Sequence, residues 1–347
     1  MLELKKISKR AGDFALQDIS FHVSKGEYFV LLGVSGAGKT MLLEIIAGLR
    51  NPDSGSIVIN GRELTHVKAN KRGVGLVFQD NAIFPHLSVE KNIAYSFHGK
   101  GYSTNEVRSR VLKWAETMNI AGLLNRKPSG LSGGEIRRVA LARTLAMEPT
   151  VLLLDEPLSS LDVLIQYDMI RLLKKLHEAG QTIIHVTHDF NEAYSLADTL
   201  TIINSGKIEQ TGPPAGVFRN PASRFVSALT GIRNFFTCIE SESLEGLCCI
   251  TIQEGIHLYS SEPCSPGASV FIREDEIKFL QQDGWEEYNV FVGEVTDIIP
   301  SPEFFSVVVN AGVNFFVRVT NDDMKSMDIH TGAPVSIKIS PNAVKPV

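Results

Sequence analysis

The segment GVSGAGKT, residues 33–40, constrains this chain more than any other stretch of it. It follows the apolar run 27–32, of buried-strand type, and opens a helical stretch at 40–48. A Gly-x-x-x-x-Gly-Lys-Thr turn in that setting fits a phosphate-cradling loop. Gly33, Gly36 and Gly38 let the backbone curl, so that successive N–H groups, those of Val34, Ser35 and Ala37 among them, point inward at phosphate oxygens. The helix that follows adds its positive N-terminal end. Lys39 is expected to reach the β- and γ-phosphates of a bound nucleotide, and the Thr40 hydroxyl to ligate Mg²⁺.

Two further segments carry chemistry. The run VLLLDE, residues 151–156, reads as a buried strand ending in two carboxylates. Asp155, at the strand's C-terminal edge, is placed to join the Mg²⁺ shell beside the phosphate loop. Glu156 is placed to polarise an attacking water as general base. The segment LSGGE, residues 131–135, precedes the helix-like IRRVALARTLAM. There Ser132, Gly133 and Gly134 offer a hydroxyl and free N–H groups at a helix start, a second anion site.

Around these segments, strand-like runs at 27–32, 151–154 and 182–186 alternate with helical stretches at 40–48, 105–124, 134–147 and 165–179. That alternation predicts an α/β domain with a mainly parallel sheet. Beyond residue 234 the texture changes to short β-rich runs at 235–239, 247–252, 269–273, 290–295, 306–309 and 314–319. Such runs predict a small antiparallel, OB-like all-β barrel. Charge changes with texture: residues 1–231 carry 27 Lys and Arg against 22 Asp and Glu, residues 232–347 only 7 against 17. A domain boundary is expected near residue 231. The motif Gly-Ala-x-Val-x-Ile recurs at 267 and 332, with Asn234 and Asn289 opening the two copies, which suggests two related barrel-like halves.

Composition narrows the class. At 44% hydrophobic and 21% charged the chain has material for real cores, so disorder is excluded. No dense basic patch points to nucleic acid. No apolar run approaches membrane-span length, and the opening MLELKKISKR lacks a signal-peptide core, so a soluble cytoplasmic protein is expected. The four cysteines show neither CxxC nor metal-ligand spacing.

Together, GVSGAGKT, LSGGE and VLLLDEP resemble the ATP-binding-cassette (ABC) ATPases over roughly residues 1–231. In that family two cassettes pair head to tail, with each ATP between one chain's phosphate loop and the other's LSGG segment. The resemblance therefore implies a homodimer with two ATP sites. It matches Gln79 to the glutamine that joins the Mg²⁺ and water shell and senses the transport partner. It matches residues 159–162, ending in Asp162, to the loop coupling the two sites, and His188 to the histidine that bonds the γ-phosphate. Two departures stand out. Ala11 occupies the place of the usual adenine-stacking aromatic, with Phe14 either a substitute or a core residue. Residues 136–138 read IRR where many importers have a glutamine pair, a change expected to alter little at the phosphate.

The stretch 82–97 resembles the same stretch in importers that use an extracytoplasmic solute-binding protein. Transmembrane permease subunits are then separate chains, and this chain sits peripherally on the cytoplasmic face of the membrane. Residues 289–347 resemble the molybdate-binding Mop module, whose matching anion candidates are Thr320, Lys338 and Ser340. Molybdate or tungstate import is the favoured reading. Import of iron, sulfate, polyamine or sugar, and an anion-sensing or storage module, are the alternatives. Cassettes acting in translation or DNA repair usually carry two cassettes per chain or long charged insertions, and this chain has neither.

Overall fold

Residues 2–23 alternate apolar and polar side chains, a pattern that pleats one face toward a core. In the computed structural model, which describes residues 1–244, 246–253, 255–280 and 288–347, they form a hairpin of β1 (Leu2–Ala11) and β2 (Phe14–Val23). Leu2, Leu4, Ile7, Leu16, Ile19 and Val23 are its buried row. Strand β3 (Tyr28–Leu32), buried at every position, leads into α1 (Lys39–Ala47). Strands β4 (Ser54–Ile59) and β5 (Arg62–Glu63) join the hairpin in a four-stranded antiparallel sheet of order β2-β1-β4-β5.

The second sheet is the one that organises the site. After β6 (Val74–Val77) come α2 (Val89–Ala94), α3 (Thr104–Thr117) and α4 (Gly133–Leu145). Then β7 (Val151–Asp155), α5 (Val163–Glu178), β8 (Thr182–Thr187) and α6 (Phe190–Leu196) alternate. Strands β9 (Thr199–Asn204) and β10 (Lys207–Gly212) and helix α7 (Pro214–Arg219) complete this part. The sheet order is β10-β9-β3-β8-β7-β6, parallel throughout except for the edge strand β10. Strands β3, β7 and β8 are wholly buried, which is why they read as unbroken apolar runs. The helix expected at 105–124 stops at Thr117, because Asn119 adopts a left-handed conformation (φ 56°) that no helix continues through.

The chain divides at Arg219/Asn220, not near residue 231. Helix α8 (Arg224–Leu229), read from sequence as the connector at the end of the first domain, belongs to the second unit, with Val226 and Ser227 fully buried.

The second unit is antiparallel throughout. Its strands are β11 (Asn234–Thr237), β12 (Glu240–Leu244), β13 (Leu247–Gln253), β14 (Ile256–Ser260), β15 (Ser269–Ile272) and β16 (Ile277–Phe279). The long β17 (Val290–Pro300), β18 (Phe305–Asn310), β19 (Asn314–Val319), short helix α9 (Asn321–Ser326), β20 (Pro334–Ile339) and β21 (Lys345–Pro346) follow. The five-stranded sheet β16-β20-β17-β18-β19 is nearly closed, since its edge strands β16 and β19 approach each other.

The repeated motif is structural, and its two copies interlock. Strand β16 of the first copy pairs with β20 of the second, while β21 of the second pairs with β15 of the first. Asn234 is fully buried; its amide donates to the Phe316 carbonyl at 2.7 Å and accepts from the Phe316 N–H at 2.7 Å. Asn289, also buried, does the same to Tyr259 at 2.8 and 2.7 Å. Phe316 and Tyr259 each lie four residues beyond a glycine, Gly312 and Gly255, so the two clips are equivalent in sequence. One apolar core spans both copies, from Ile250 and Leu258 to Phe315, Val317 and Ile337. Cys238, Cys248 and Cys264 lie in that core with free thiols. Burial, with the neighbouring Cys238 and Cys248, pushes the Cys264 thiol up to about 12, so it is inert at neutral pH.

Replacing Asn234 or Asn289 by alanine leaves a buried N–H and carbonyl of the facing strand without partners. Each substitution is expected to cost about 1–3 kcal/mol, read as a lower midpoint in urea unfolding followed by tail-specific fluorescence. Their combination should cost more than either alone.

Candidate active site

Four neighbouring parallel strands, β3, β8, β7 and β6, end at the same edge of the sheet. Parallel pairing puts Leu32 beside Thr187, Asp155 beside Val186 and Val77 beside Leu154. The residues just past those ends therefore converge: the loop 33–38 after β3, His188 after β8, Glu156 after β7 and Gln79 after β6. This is where open α/β sheets bind ligands.

The loop 33–38 is shaped by close approach. A Cβ on Gly33 would collide with the Ile203 carbonyl, and one on Gly38 (φ 100°) would meet Phe14 and Leu16 at 2.7 Å. Phe14 is thus half-buried, packed against the loop and against the edge of the core. Ala37 is buried, Val34, Ser35 and Gly36 are exposed, and Gly36 also has a positive φ of 81°. Lys39 is buried and folds back, donating to the Gly33 carbonyl at 2.8 Å and the Val34 carbonyl at 3.0 Å. Burial pulls its pKa down, opposed by Glu156 and Asp155.

The Thr40 hydroxyl donates to Asp155 Oδ1 at 3.1 Å. Burial holds the Asp155 carboxyl above its usual range, the Thr40 bond working against that and the Glu156 charge adding to it. Beside it, Glu156 is a hub. Gln79 Nε2 donates to Glu156 Oε2 at 3.2 Å, and His188 Nδ1 lies 3.2 Å from Oε1. The Glu156 N–H donates to the Val186 carbonyl at 2.9 Å while its φ is 46°. A non-glycine residue there is uncommon, and it turns the side chain out of strand register toward its two partners. Behind His188, the Thr187 hydroxyl donates to buried Glu192 at 2.7 Å and accepts from the Asp189 N–H at 3.0 Å, which fixes the turn.

Ser132 caps α4 in a reciprocal capping box with Glu135. Its hydroxyl accepts the Glu135 N–H at 3.3 Å, and Glu135 accepts the Ser132 N–H at 2.7 Å. Gly133 is open to solvent on its side-chain side, whereas a Cβ on Gly134 would meet Ile165 of α5 at 2.6 Å. Asp162 stands at the start of α5, exposed and with no side-chain cap bond. The structure brings Lys39, Thr40, Asp155, Glu156, Gln79 and His188 together; no bond joins Ser132, Gly133, Gly134 or Asp162 to that cluster.

In the tail the three anion candidates lie at the start of α9, on β20 and in the turn directly after β20. Thr320 caps α9 and donates to Asp323 at 2.7 Å, and Ser340 accepts from the Asn342 N–H at 3.4 Å. Lys338 lies on β20 directly across from Lys278 of β16. Among the described residues no group of three or more His, Cys, Asp or Glu is arranged to hold a metal ion, and no helix is long and apolar enough to cross a membrane.

Sequence reasoning noted Arg137 within 136–138 without giving it a role, and missed Arg143, the other arginine of α4 that reaches the loop after β6. Arg137, buried, donates to the carbonyls of Gln79 (3.1 Å) and Phe78 (3.4 Å). Arg143 donates to those of Ala82 (2.8 Å) and Asn81 (3.2 Å). The signal was available: each interrupts a helix face that is otherwise apolar and buried.

The fold and this convergent edge define a P-loop ATPase of the cassette type. Residues 16–159 match the family model described as ABC transporter. A molybdate/tungstate import ATP-binding protein of Pyrococcus abyssi is 36% identical over 350 residues, covering 99% of this chain and 99% of the relative. A sulfate/thiosulfate import ATP-binding protein of Synechococcus elongatus is 45% identical over 232 residues, 66% of this chain and 67% of the relative. A dimeric ATP-binding cassette solved in a post-hydrolysis state, bound to ADP and Pi, superposes with a TM-score of 0.56 at 30% identity, over 62% of this chain and 99% of its own. The chain belongs to the ABC transporter family and is an ATPase.

The position of Asp155 has a measurable consequence. A carboxyl whose pKa is raised by folding costs stability wherever it is ionised, and the cost vanishes as pH falls to its ordinary value of 3.8. Asp155→Asn, which keeps an oxygen for Thr40, should raise the melting temperature of the nucleotide-free chain by a few degrees at neutral pH. That gain should shrink as the pH is lowered. Calorimetry across pH checks both the sign and the trend.

Proposed function

We propose that this chain is the ATP-hydrolysing subunit of a binding-protein-dependent importer of molybdate or tungstate. It works as a homodimer with permease subunits at the cytoplasmic face of the membrane. One observation carries the substrate: the molybdate/tungstate relative matches over 99% of both chains, tail included. The sulfate relative, at higher identity, matches over only 66% of this chain, while polyamine and iron import relatives match over 84% and 81%, so import of one of these other solutes is the second reading.

In this reading the N–H groups of the loop 33–38 and the N-terminus of α1 receive the phosphates of ATP. Lys39 exchanges the Gly33 and Val34 carbonyls for the β- and γ-phosphates. A divalent cation fits beside it: Thr40 and Asp155 present oxygens 3.1 Å apart, and the Asp155 carboxylate is crowded by the Glu156 charge, which a cation would offset. Thr40, Asp155 and Gln79 would hold Mg²⁺, whose chemistry is to neutralise charge on the phosphates. Glu156 accepts the proton of the attacking water, oriented by the side chains of Gln79 and His188 that already bond to it. His188, more than half exposed, is free to turn toward the γ-phosphate. The start of α4, with Ser132, Gly133 and Gly134, offers N–H groups to the nucleotide of the second copy, and Asp162 links the two sites.

The segment 84–89 is the proposed contact with the permease. The rings of Phe84 and Tyr95 pack at a tilt of 51° with centroids 4.5 Å apart, and His86 is exposed. In the tail, Lys338 and Lys278 face each other across the ladder, two cationic side chains that an oxyanion would meet together, and Ser340 follows directly after the end of β20. Asp322 and Asp323 beside Thr320 weaken its case as a ligand. An oxyanion held there, by favouring a dimer arrangement that keeps the cassettes apart, would lower transport when the cytoplasmic pool is full.

Glu156→Gln in the assembled transporter should keep ATP binding and lower turnover about 10²-fold or more; parent-rate hydrolysis would remove Glu156 from the base role. Solute-stimulated ATPase activity of the reconstituted transporter is expected with molybdate or tungstate and their binding protein. Stimulation by sulfate, polyamine or iron alone would favour the second reading. Cysteines placed in 84–89 should crosslink to the permease's cytoplasmic loops in at least one nucleotide state.

A further inference from the structure

We propose that Arg137 and Arg143 of α4 are positioning residues for Gln79. Together they hold the loop 78–82 in the shape that aims the Gln79 amide at Glu156, so that hydrolysis follows the position of α4. The proposal rests on the reading of Glu156 and Gln79 as hydrolytic residues.

The loop has no conformational reason of its own to keep this shape. Asn81 and Ala82 both have positive φ, 64° and 43°, a region an alanine rarely adopts. The Asn81 Oδ1 is buried with no partner among the described residues. Within the loop the Asn81 N–H donates to the Phe78 carbonyl at 3.0 Å, which closes the turn without securing it to anything else.

What secures it comes from α4. Arg137 bonds the carbonyls on either side of the Phe78–Gln79 peptide link, and Arg143 those of Asn81 and Ala82. Four of the five loop carbonyls therefore accept charge-assisted bonds from two guanidinium groups on one helix, Arg137 through Nη1 alone and Arg143 through both Nη atoms. Arginine suits the task, since one planar guanidinium reaches two neighbouring acceptors where an ammonium is a point charge. Arg137 is only 4% exposed and its Nε has no partner among the described residues; burial pulls its pKa down, and the charges of Asp155, Asp80 and Glu156 oppose that. It is buried as a cation beside the hydrolytic carboxylates, an arrangement a mere helix–loop spacer would not need.

The same helix reaches two other places. It begins at Ser132, the start proposed to meet the second copy's nucleotide. Arg143 also lies 5.2 Å from the centre of the Phe84 ring, and its carbonyl accepts from Ser96 Oγ at 2.6 Å. A shift of α4 thus moves the Gln79 loop and the segment 84–89 together. Gln79 leaves Glu156 while the phosphate loop, built on β3 and α1, stays in place.

The test uses the full-length chain with MgATP and the variants R137M, R137K, R143M and R143K, with E156Q as reference. Turnover is measured with KM, nucleotide affinity with a fluorescent ATP analogue, and amide hydrogen exchange across 78–82. A lost tether should lower kcat about 10- to 100-fold, as small misplacements at a reacting centre do, with KM and affinity within about twofold. Exchange should rise at 78–82, the Asn81 amide first, and stay unchanged elsewhere; the lysine variants should recover part of the loss. Parent kcat in both methionine variants, or losses of kcat and affinity together with exchange rising throughout the unit, would overturn the proposal. Should R137M fail to fold, R143M and R143K decide it by the same outcomes. Parent-rate turnover in E156Q would defeat the catalytic reading alone, and exchange at 78–82 would still report whether the arginines hold the loop.

Discussion

Parallel hydrogen bonding between β3, β8, β7 and β6 is the constraint on which the rest depends. Antiparallel neighbours would send alternate strand ends to opposite edges of the sheet and scatter the residues that follow them. With all four strands parallel, the phosphate loop, His188, Glu156 and Gln79 emerge at one edge although they are spread from residue 33 to residue 188. The crossovers that parallel pairing demands are helices, which cover the sheet and bury β3, β7 and β8 completely. Burial in turn supplies the low dielectric that lowers the Lys39 pKa and raises that of Asp155. The chemistry of the edge follows from the pairing of the sheet.

Glu156 shows how that frame is adjusted locally. A residue continuing β7 in register would point its side chain along the pleat, toward one face. The left-handed backbone at Glu156 breaks the register, and the bond from its N–H to Val186 keeps the deviation in place. Gln79 then arrives from β6 and His188 from β8, one on each carboxylate oxygen. Glu156 is held there by a backbone bond to the neighbouring strand β8. Gln79 depends on α4 through the arginines, and His188 on the Thr187–Glu192 bond. Different elements thus hold the members of one constellation, which makes the arrangement sensitive to movement of any of them.

The tail solves a different physical problem. A half of about 55–60 residues buries a small share of its surface and is only marginally stable alone. Exchanging β16 and β21 between the two copies, and clipping each to the other through Asn234 and Asn289, merges them around one core. Buried asparagine is costly unless all its groups are paired, and here each amide meets both an N–H and a carbonyl of the facing strand. That requirement also fixes strand register, since a slip by one residue would leave the amide opposite the wrong backbone groups.

Much of this was legible in the residues because local chemistry dictates it. Glycines at 33, 36 and 38 before Lys39, apolar runs for β3, β7 and β8, and a Ser-x-x-Glu box at 132–135 each specify their structure within a few residues. The repeat of Gly-Ala-x-Val-x-Ile was visible too, though not that its copies interlock, because strand exchange depends on partners sixty residues away. The antiparallel sheet of β1, β2 and β4 is half-exposed alternation, a weaker signal than a continuous apolar run. Family resemblance, and not spacing, assigned Gln79, Asp162 and His188. Only tertiary structure decided that Phe14 packs on Gly38, that Arg137 and Arg143 grip the Gln79 loop, and that Gln79 and His188 meet on Glu156. Those are contacts between elements far apart in sequence, and a residue's spacing along the chain carries no information about which strand its neighbours will pair with.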